Sequence, residues 1–314
     1  MTSWIKRLTA IVIASSVTFL TACGGGDDPD VVTLARSNPD LSTLAEAIDA
    51  AGLASTLQGA GPFTVFAPTN QAFTNVLAEL KLTKAQLFAD KPLLTAVLTY
   101  HVVSGEIPST AVPLGRPITS LQKGYFKAEA SGTTLQLTDG RNRLSKVTSA
   151  NVEASNGVVH VVDKVLLPAD KTVVGTAVAL STSTTPEFTL LVEALTAADL
   201  VTTLSGPGPF TVFAPTDAAF VALLGELGIT KEALFADKPL LTSVLTYHVV
   251  PGLVLKAQVP VGSPIATVEG DTFTVNASLA ITDQRARSAK ITGTDVLASN
   301  GVIHVIDTVV LPKG

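Results

Sequence analysis

Apolar residues along this chain change period from helical to alternating, and they do so twice. Leu41, Leu44, Ala45 and Ile48 fall at i, i+3, i+4 and i+7, which places them on one helix face. Residues 63–66 are aromatic and β-branched and read as a strand. Thr69 stands where it can cap a following helix whose stripe is Phe73, Val76, Leu77 and Leu80. Thr83 opens a short turn ending near Phe88, and Pro92 suits the first turn of a further helix carrying Leu93, Leu94, Val97 and Leu98. After Tyr100 the pattern becomes strand-like, with Gly and Pro between the runs. Residues 158–167 are apolar except for His160, Asp163 and Lys164, so they read as a largely buried strand. Helices grouped before strands predict an α+β domain with an antiparallel or mixed sheet.

The pattern then repeats. Gly61-Pro62-Phe63-Thr64-Val65-Phe66-Ala67-Pro68-Thr69 returns as Gly208-Pro209-Phe210-Thr211-Val212-Phe213-Ala214-Pro215-Thr216, at an offset of 147. Over residues 61–103 the offset never slips, and 32 of 43 positions are identical. Beyond Thr138 the offset is 144, so copy two lacks three residues, placed at Gly132-Thr133-Thr134. A gap between two strand-like runs predicts a shortened hairpin. Short periods mark solenoids, whereas this long one means two whole domains. The boundary is expected near residues 168–172. Val173-Val174-Gly175-Thr176-Ala177 reads as a short added strand, and residues 181–186 as a polar loop. The division is residues 1–22 signal peptide, 23–30 lipidated tether, 31–169 first domain and 170–314 second domain.

The N-terminus carries an address. Lys6 and Arg7 precede a charge-free, mostly apolar run over residues 8–20, too short to span a bilayer that needs ~20 residues. The run ends in Leu20-Thr21-Ala22-Cys23, which resembles the bacterial lipobox, in which the Cys is acylated and becomes the new N-terminus. Cys23 is the single cysteine of the chain, and it stands where that reading needs a thiol. The alternative is a plain secretory signal with an incidental Cys. The following Gly24-Gly25-Gly26-Asp27-Asp28-Pro29-Asp30 has nothing to bury and reads as a flexible tether. Acyl chains bury CH₂ groups at ~0.8 kcal/mol each, so multiple chains hold a protein on a membrane. Export and a lipid anchor in the cell envelope are expected, in the outer membrane or at the cell surface rather than the inner membrane.

Composition narrows the function classes. Of 314 residues, 46% are hydrophobic and 15% charged, which excludes a disordered chain. The net charge of −5 and an aromatic content of 5% argue against a nucleic-acid partner. One Cys excludes a disulfide framework and any Cys-based metal cluster.

Three stretches, each present twice in the same order, resemble the fasciclin (FAS1) domain. They are Phe63 to Thr69 with Ala72-Phe73; Tyr100-His101; and Asn156-Gly157-Val158-Val159-His160-Val161-Val162-Asp163. Their second copies are Phe210 to Thr216 with Ala219-Phe220, Tyr247-His248, and Asn300 to Asp307. The resemblance covers nearly all of the chain after its N-terminal address. It implies a β-sheet wedge packed with several helices in each domain, and a role in adhesion or matrix interaction. Adhesion motifs of animal members land on Tyr100, His101, Tyr247 and His248, and on Asp295-Val296 in copy two. Copy one has Asn151-Val152 instead, without the charge that a receptor-bound cation would need.

Catalytic and cofactor chemistry finds no footing. The four histidines form matched pairs, His101 with His248 and His160 with His304, and no His-Glu-x-x-His occurs. His160 and His304 read as hydrogen-bonded strand residues, while spacing leaves a metal pair of His101 with His160 open. No Gly-x-Ser-x-Gly elbow is present. Ser155-Asn156-Gly157 and Ser299-Asn300-Gly301 read as turns. Asp139-Gly140-Arg141-Asn142-Arg143 and Asp283-Gln284-Arg285-Ala286-Arg287 read as solvated charged loops. No catalytic residue, cofactor or metal is assigned. The expectation is a lipid-anchored, non-enzymatic interaction protein with an extracellular protein or polysaccharide partner. The alternative is a module holding an apolar small molecule in a pocket within or between the copies.

Overall fold

The computed structural model describes residues 28–314. The signal peptide, Cys23 and most of the expected tether lie outside the described residues. Copy one runs α1 (Val31–Ser37), α2 (Ser42–Ala51), α3 (Ala54–Leu57), β1 (Phe63–Pro68), α4 (Asn70–Leu80), α5 (Lys84–Ala89), α6 (Lys91–Tyr100), β2 (Val102–Ser104), β3 (Pro117–Thr119), β4 (Tyr125–Ser131), β5 (Thr134–Thr138), β6 (Leu144–Ala154) and β7 (Gly157–Val162). Copy two repeats this as α7 (Val173–Ser181), α8 (Thr189–Ala197), α9 (Val201–Ser205), β8 (Phe210–Pro215), α10 (Asp217–Leu227), α11 (Lys231–Ala236), α12 (Lys238–Tyr247), β9 (Val249–Pro251), β10 (Pro264–Ala266), β11 (Thr272–Val275), β12 (Ala280–Thr282), β13 (Ser288–Ala298) and β14 (Gly301–Ile306). The fold is α+β, two tandem domains, as the sequence implies.

Each copy builds a seven-stranded sheet, ordered β2-β1-β7-β6-β5-β4-β3 in the first and equivalently in the second. Every pairing is antiparallel except β1 with β7 and β8 with β14. Those parallel pairs join the first strand of each domain to its last. Burial on both faces explains why β1 reads as a continuous apolar run. Val65 and Ala67 face the helices with Phe73, Leu94 and Leu98. Phe66 faces the other way, into the curled part of the sheet, against Tyr100, Phe126 and Leu137. Phe126 meets both Phe66 and Tyr100 edge to face, at 5.3 and 5.7 Å.

Local signals place the helices. Thr69 accepts the Ala72 N–H and caps α4. Thr83 and Gln86 form a reciprocal capping box on α5. Asp90 caps α6. The shortened hairpin is also seen: β4 and β5 pair at five positions, β11 and β12 at two.

Several expectations are corrected. Residues 173–177 form a helix, because Thr172 accepts the Gly175 N–H and Asn300 Oδ1 accepts the Val173 N–H at 2.8 Å. The long strand stops at Val162, and residues 165–167 are buried without a strand partner. The tether ends earlier than Asp30: Asp30 caps α1, and the Pro29 carbonyl accepts the Ser155 N–H. The turn residue Asn156 is buried and acts as a bracket. Its Oδ1 accepts the Val31 N–H at 3.0 Å, and its Nδ2 donates to the Leu57 and Gly59 carbonyls at 2.8 and 2.9 Å. Its own carbonyl accepts the Phe63 N–H. Gly157, at φ +150°, brings the backbone so close that an added Cβ would sit 1.9 Å from the Phe63 oxygen. Asn300 and Gly301 repeat the arrangement.

Removing the Asn156 side chain strands three backbone groups, each costing about 1–3 kcal/mol when unpaired and buried. Asn156→Ala is therefore expected to lower stability in urea titration by about 3 kcal/mol or more. Asn75→Ala, on the exposed face of α4, should shift it by less than about 0.5 kcal/mol.

Candidate interaction site

Tyr100 and His101 end α6. Both are buried, at 0% and 1% exposure. The Tyr100 hydroxyl donates to the Tyr125 carbonyl at 2.7 Å. His101 is the C-cap of the helix. Its Nδ1 donates to the Val97 carbonyl at 2.7 Å, and its Nε2 accepts the Leu166 N–H at 2.8 Å. Tyr247 and His248 repeat this with the Thr272 carbonyl, the Val244 carbonyl and the Val310 N–H. Burial holds both imidazoles neutral, with pKa values lowered to about 4. These four residues are therefore not a docking surface. They fasten the end of a helix to the buried segment after the last strand.

The same segment is gripped by the loop expected to be solvated. Asp139 is 1% exposed and accepts the Arg141, Arg143 and Leu167 N–H groups. The Arg143 guanidinium binds Asp139 and the Val165 carbonyl. Side chains thus supply to residues 165–167 the hydrogen bonds a strand partner would give. Asp283 and Arg287 do the same in copy two.

Asn151 and Asp295 sit at bulges between the long strand and the last one, where the register shifts. Both have left-handed backbones, φ 58° and 61°. Asn and Asp tolerate that conformation best among residues with a Cβ. Their N–H groups point to His160 Nδ1 and His304 Nδ1, at 3.2 and 3.4 Å. The Nε2 of each ring donates to the Ile107 or Val254 carbonyl. Burial pushes both imidazoles below their usual range. With both nitrogens of every histidine engaged, no ring offers a free lone pair to a metal. Among the described residues, no group of three or more His, Cys, Asp or Glu side chains is placed to hold one.

Asp295, the candidate cation ligand, is 5% exposed and already spent. Its Oδ1 accepts the Lys256 N–H at 2.8 Å, and its Oδ2 lies 3.0 Å from Lys127 Nζ of copy one. Lys127 also meets Glu129 at 2.9 Å. Burial alone would push the ammonium pKa down; Glu129 and Asp295 outweigh it and hold it above the ordinary lysine value. Val296 is half-buried and pairs with Ile303 inside the sheet of copy two.

These contacts belong to a seam between the copies. The Tyr125 hydroxyl lies 2.7 and 2.6 Å from the Ala298 and Gly301 carbonyls. Burial raises its pKa, so it stays a donor. Its ring packs with Leu253 on Leu255, Leu297 and Val302. Asn142 pairs with the Leu297 backbone through both amide atoms, at 2.7 and 3.1 Å. The seam residues Tyr125, Lys127 and Asn142 were not singled out by motif. They correspond to Thr272, Thr274 and Ala286, a divergence that a position-by-position comparison of the copies exposes. One pocket within a copy lies beneath α7 and is lined by apolar residues including Val174, Leu195 and Ile303. At about 20 Å³ it holds no more than a water-sized group, too little for a ligand.

Burial of His101 and His248 predicts an acid-sensitive fold. Each pKa falls from 6.5 to about 4 on folding, so the unfolded chain binds more protons between those values. Stability is complete above pH 6.5 and is lost as pH falls toward 4, by up to about 1.4 kcal/mol per pH unit for each ring. Urea midpoints should fall between pH 6.5 and 5, and replacing His101 and His248 with Gln should flatten that slope.

Comparison with known proteins places these features. A family model described as Fasciclin domain matches residues 39–168 and 186–312. Protein sll1483 of Synechocystis sp. is 43% identical over 140 residues, covering 44% of this chain and 73% of that protein. Transforming growth factor-beta-induced protein ig-h3 of Sus scrofa is 30% identical over 263 residues, covering 82% of this chain and 35% of that protein. The chain therefore spans about a third of that animal relative. A FAS1 domain pair from the insect cell adhesion molecule Fasciclin I aligns with 88% of this chain and 98% of its own, at a TM-score of 0.43 and 18% identity.

Proposed function

The chain belongs to the fasciclin family in both of its halves, and from that premise we propose that it is an exported adhesion module, held to the cell envelope through Cys23, that works by binding and not by catalysis. Support for adhesion comes from the family, which includes the cell adhesion molecule Fasciclin I. Support for export and anchoring comes from the apolar run over residues 8–20 and the Leu-Thr-Ala-Cys that ends it.

One observation carries the mode of action: the motifs shared by the copies are consumed internally, and Asp295 is paired with Lys127 across the seam. Contact with a partner then falls to exposed surface that the two copies do not share. Such surface includes the β4–β5 hairpin, longer in copy one, and the exposed face of α10. There Val221, Ala222 and Gly225 replace Thr74, Asn75 and Ala78 of α4. Loops on a rigid scaffold carry binding more often than cores do. The partner is an extracellular protein or polysaccharide, and no resident cation is needed.

Attachment of coated beads tests this. Beads carrying the mature chain with Cys23→Ser should bind envelope fragments of the producing cells equally with and without chelator. Tyr247→Phe, which removes one buried hydroxyl, should leave binding unchanged. Absence of attachment, or its loss on chelation, would contradict the proposal.

A further inference from the structure

The seam that uses Asp295 also forms a cleft of about 470 Å³ between the copies, within the size range of small-molecule sites. One wall is the loop Gly140, Arg141 and Asn142 of copy one. The others are the linker residues Asp170 and Lys171, the α7 residues Thr176, Ala179 and Leu180, and Val296 and Leu297 of β13. Its chemistry is divided. Ala179, Leu180, Val296 and Leu297 give an apolar floor, and Arg141 and Lys171 stand together at one side. Asp170 is the single carboxylate among the lining residues and lies 3.2 Å from each cation. Two cations share one anion, so one positive charge in the cleft is left uncompensated.

The Arg141 guanidinium is held differently from its counterpart in copy two. Among the described residues its Nε is the one buried side-chain nitrogen or oxygen without a hydrogen-bond partner. The second copy shows what that donor does when satisfied. Arg285, the equivalent residue, gives its Nε to the Pro312 carbonyl at 3.1 Å. In copy one the equivalent Pro168 leads into the linker, which passes so close that a Cβ on Gly140 would lie 2.2 Å from the Ala169 nitrogen. The same guanidinium, in the same loop, is thus bonded in one copy and keeps a free donor in the other. Without a carbonyl on Nε, the Arg141 guanidinium is held through its ion pair with Asp170, and its partly exposed outer nitrogens are the ones that can meet an acceptor in the cleft.

We propose that this cleft is a binding site for a small amphiphilic monocarboxylate. Its carboxylate accepts from Arg141 and neutralises the surplus charge beside Lys171, and its apolar body covers Leu180, Val296 and Leu297. Planar guanidinium suits carboxylate recognition. A neighbouring seam cleft of about 510 Å³ makes a useful contrast: it sets Lys256 against Glu129 and Asp295, one cation against two carboxylates, so its surplus is negative and would repel a carboxylate. The ligand would touch both copies and the linker, so its binding would stiffen the joint between the domains.

Calorimetric titration of the mature chain with Cys23→Ser tests the site, using octanoate, octan-1-ol and acetate as probes. Octanoate should bind with one site per chain and raise the melting temperature with concentration. Octan-1-ol, which lacks the charge, and acetate, which lacks the apolar body, should each bind at least tenfold more weakly. Arg141→Gln should weaken octanoate at least tenfold. Lys171→Met, on an exposed side chain that leaves the fold undisturbed, should weaken it less. Equal binding of octan-1-ol, equal binding of acetate, no binding of octanoate, or unchanged octanoate affinity in folded Arg141→Gln would each overturn the proposal.

Discussion

Each domain depends on closing its first strand against its last. The parallel pairing of β1 with β7 brings together segments nearly a hundred residues apart, and the helices pack on the sheet that results. Parallel strands must be buried on both faces, and their ends leave backbone groups with no sheet partner. Gly157 allows the two backbones to approach, and Asn156 satisfies the groups exposed by that approach, reaching α1, the turn after α3 and β1. The Asn-Gly pair forms the expected turn between β6 and β7, and it is also the bracket on which the N-terminal helices hang.

The opposite end of the parallel pair has its own device. After Val162 the chain leaves the sheet, residues 165–167 are buried again, and His101, Asp139 and Arg143 supply their hydrogen bonds. A neutral histidine suits this place because one nitrogen donates to the last turn of α6 while the other accepts from Leu166. Tyr100 extends the same link to β4. The residues that most resemble an adhesive signature thus hold helix, sheet and final segment together. Their recurrence in both copies follows from the need to fold twice, and partner recognition is free to differ between the copies.

What was legible in the sequence is what depends on local order. The stripe Phe73, Val76, Leu77 and Leu80 and the caps Thr69 and Thr83 declare themselves within a few residues, and the missing Gly132-Thr133-Thr134 shows once the two copies are laid in register. The misreadings share one cause, a partner distant along the chain. Val173-Val174 has strand-forming side chains, yet Asn300 and Thr172 turn it into a helix. Asp139 looks like a loop carboxylate until Leu167 closes on it. Asp295 looks like a free acid, but the left-handed bulge favours Asn or Asp there, and the choice of Asp answers Lys127 of the other copy. The seam could have been glimpsed only by asking why Tyr125, Lys127 and Asn142 become Thr272, Thr274 and Ala286.

That seam converts a duplication into one body. Each copy has two faces that could mate, yet the aromatic, the ammonium and the amide lie on one face of copy one, and their apolar and acidic counterparts on one face of copy two. The equivalent positions on the outer faces are Thr272, Thr274 and Ala286 in copy two and Glu106, Asn151 and Glu153 in copy one, so neither outer face repeats the seam's side chains. Small-angle X-ray scattering of residues 23–314 with Cys23→Ser, at low and at molar salt, tests the seam most directly. A single rigid particle with an unchanged radius of gyration is expected, because a buried pair escapes the screening that weakens exposed charges. Scattering that requires two independently moving domains, or that expands with salt, would contradict the account.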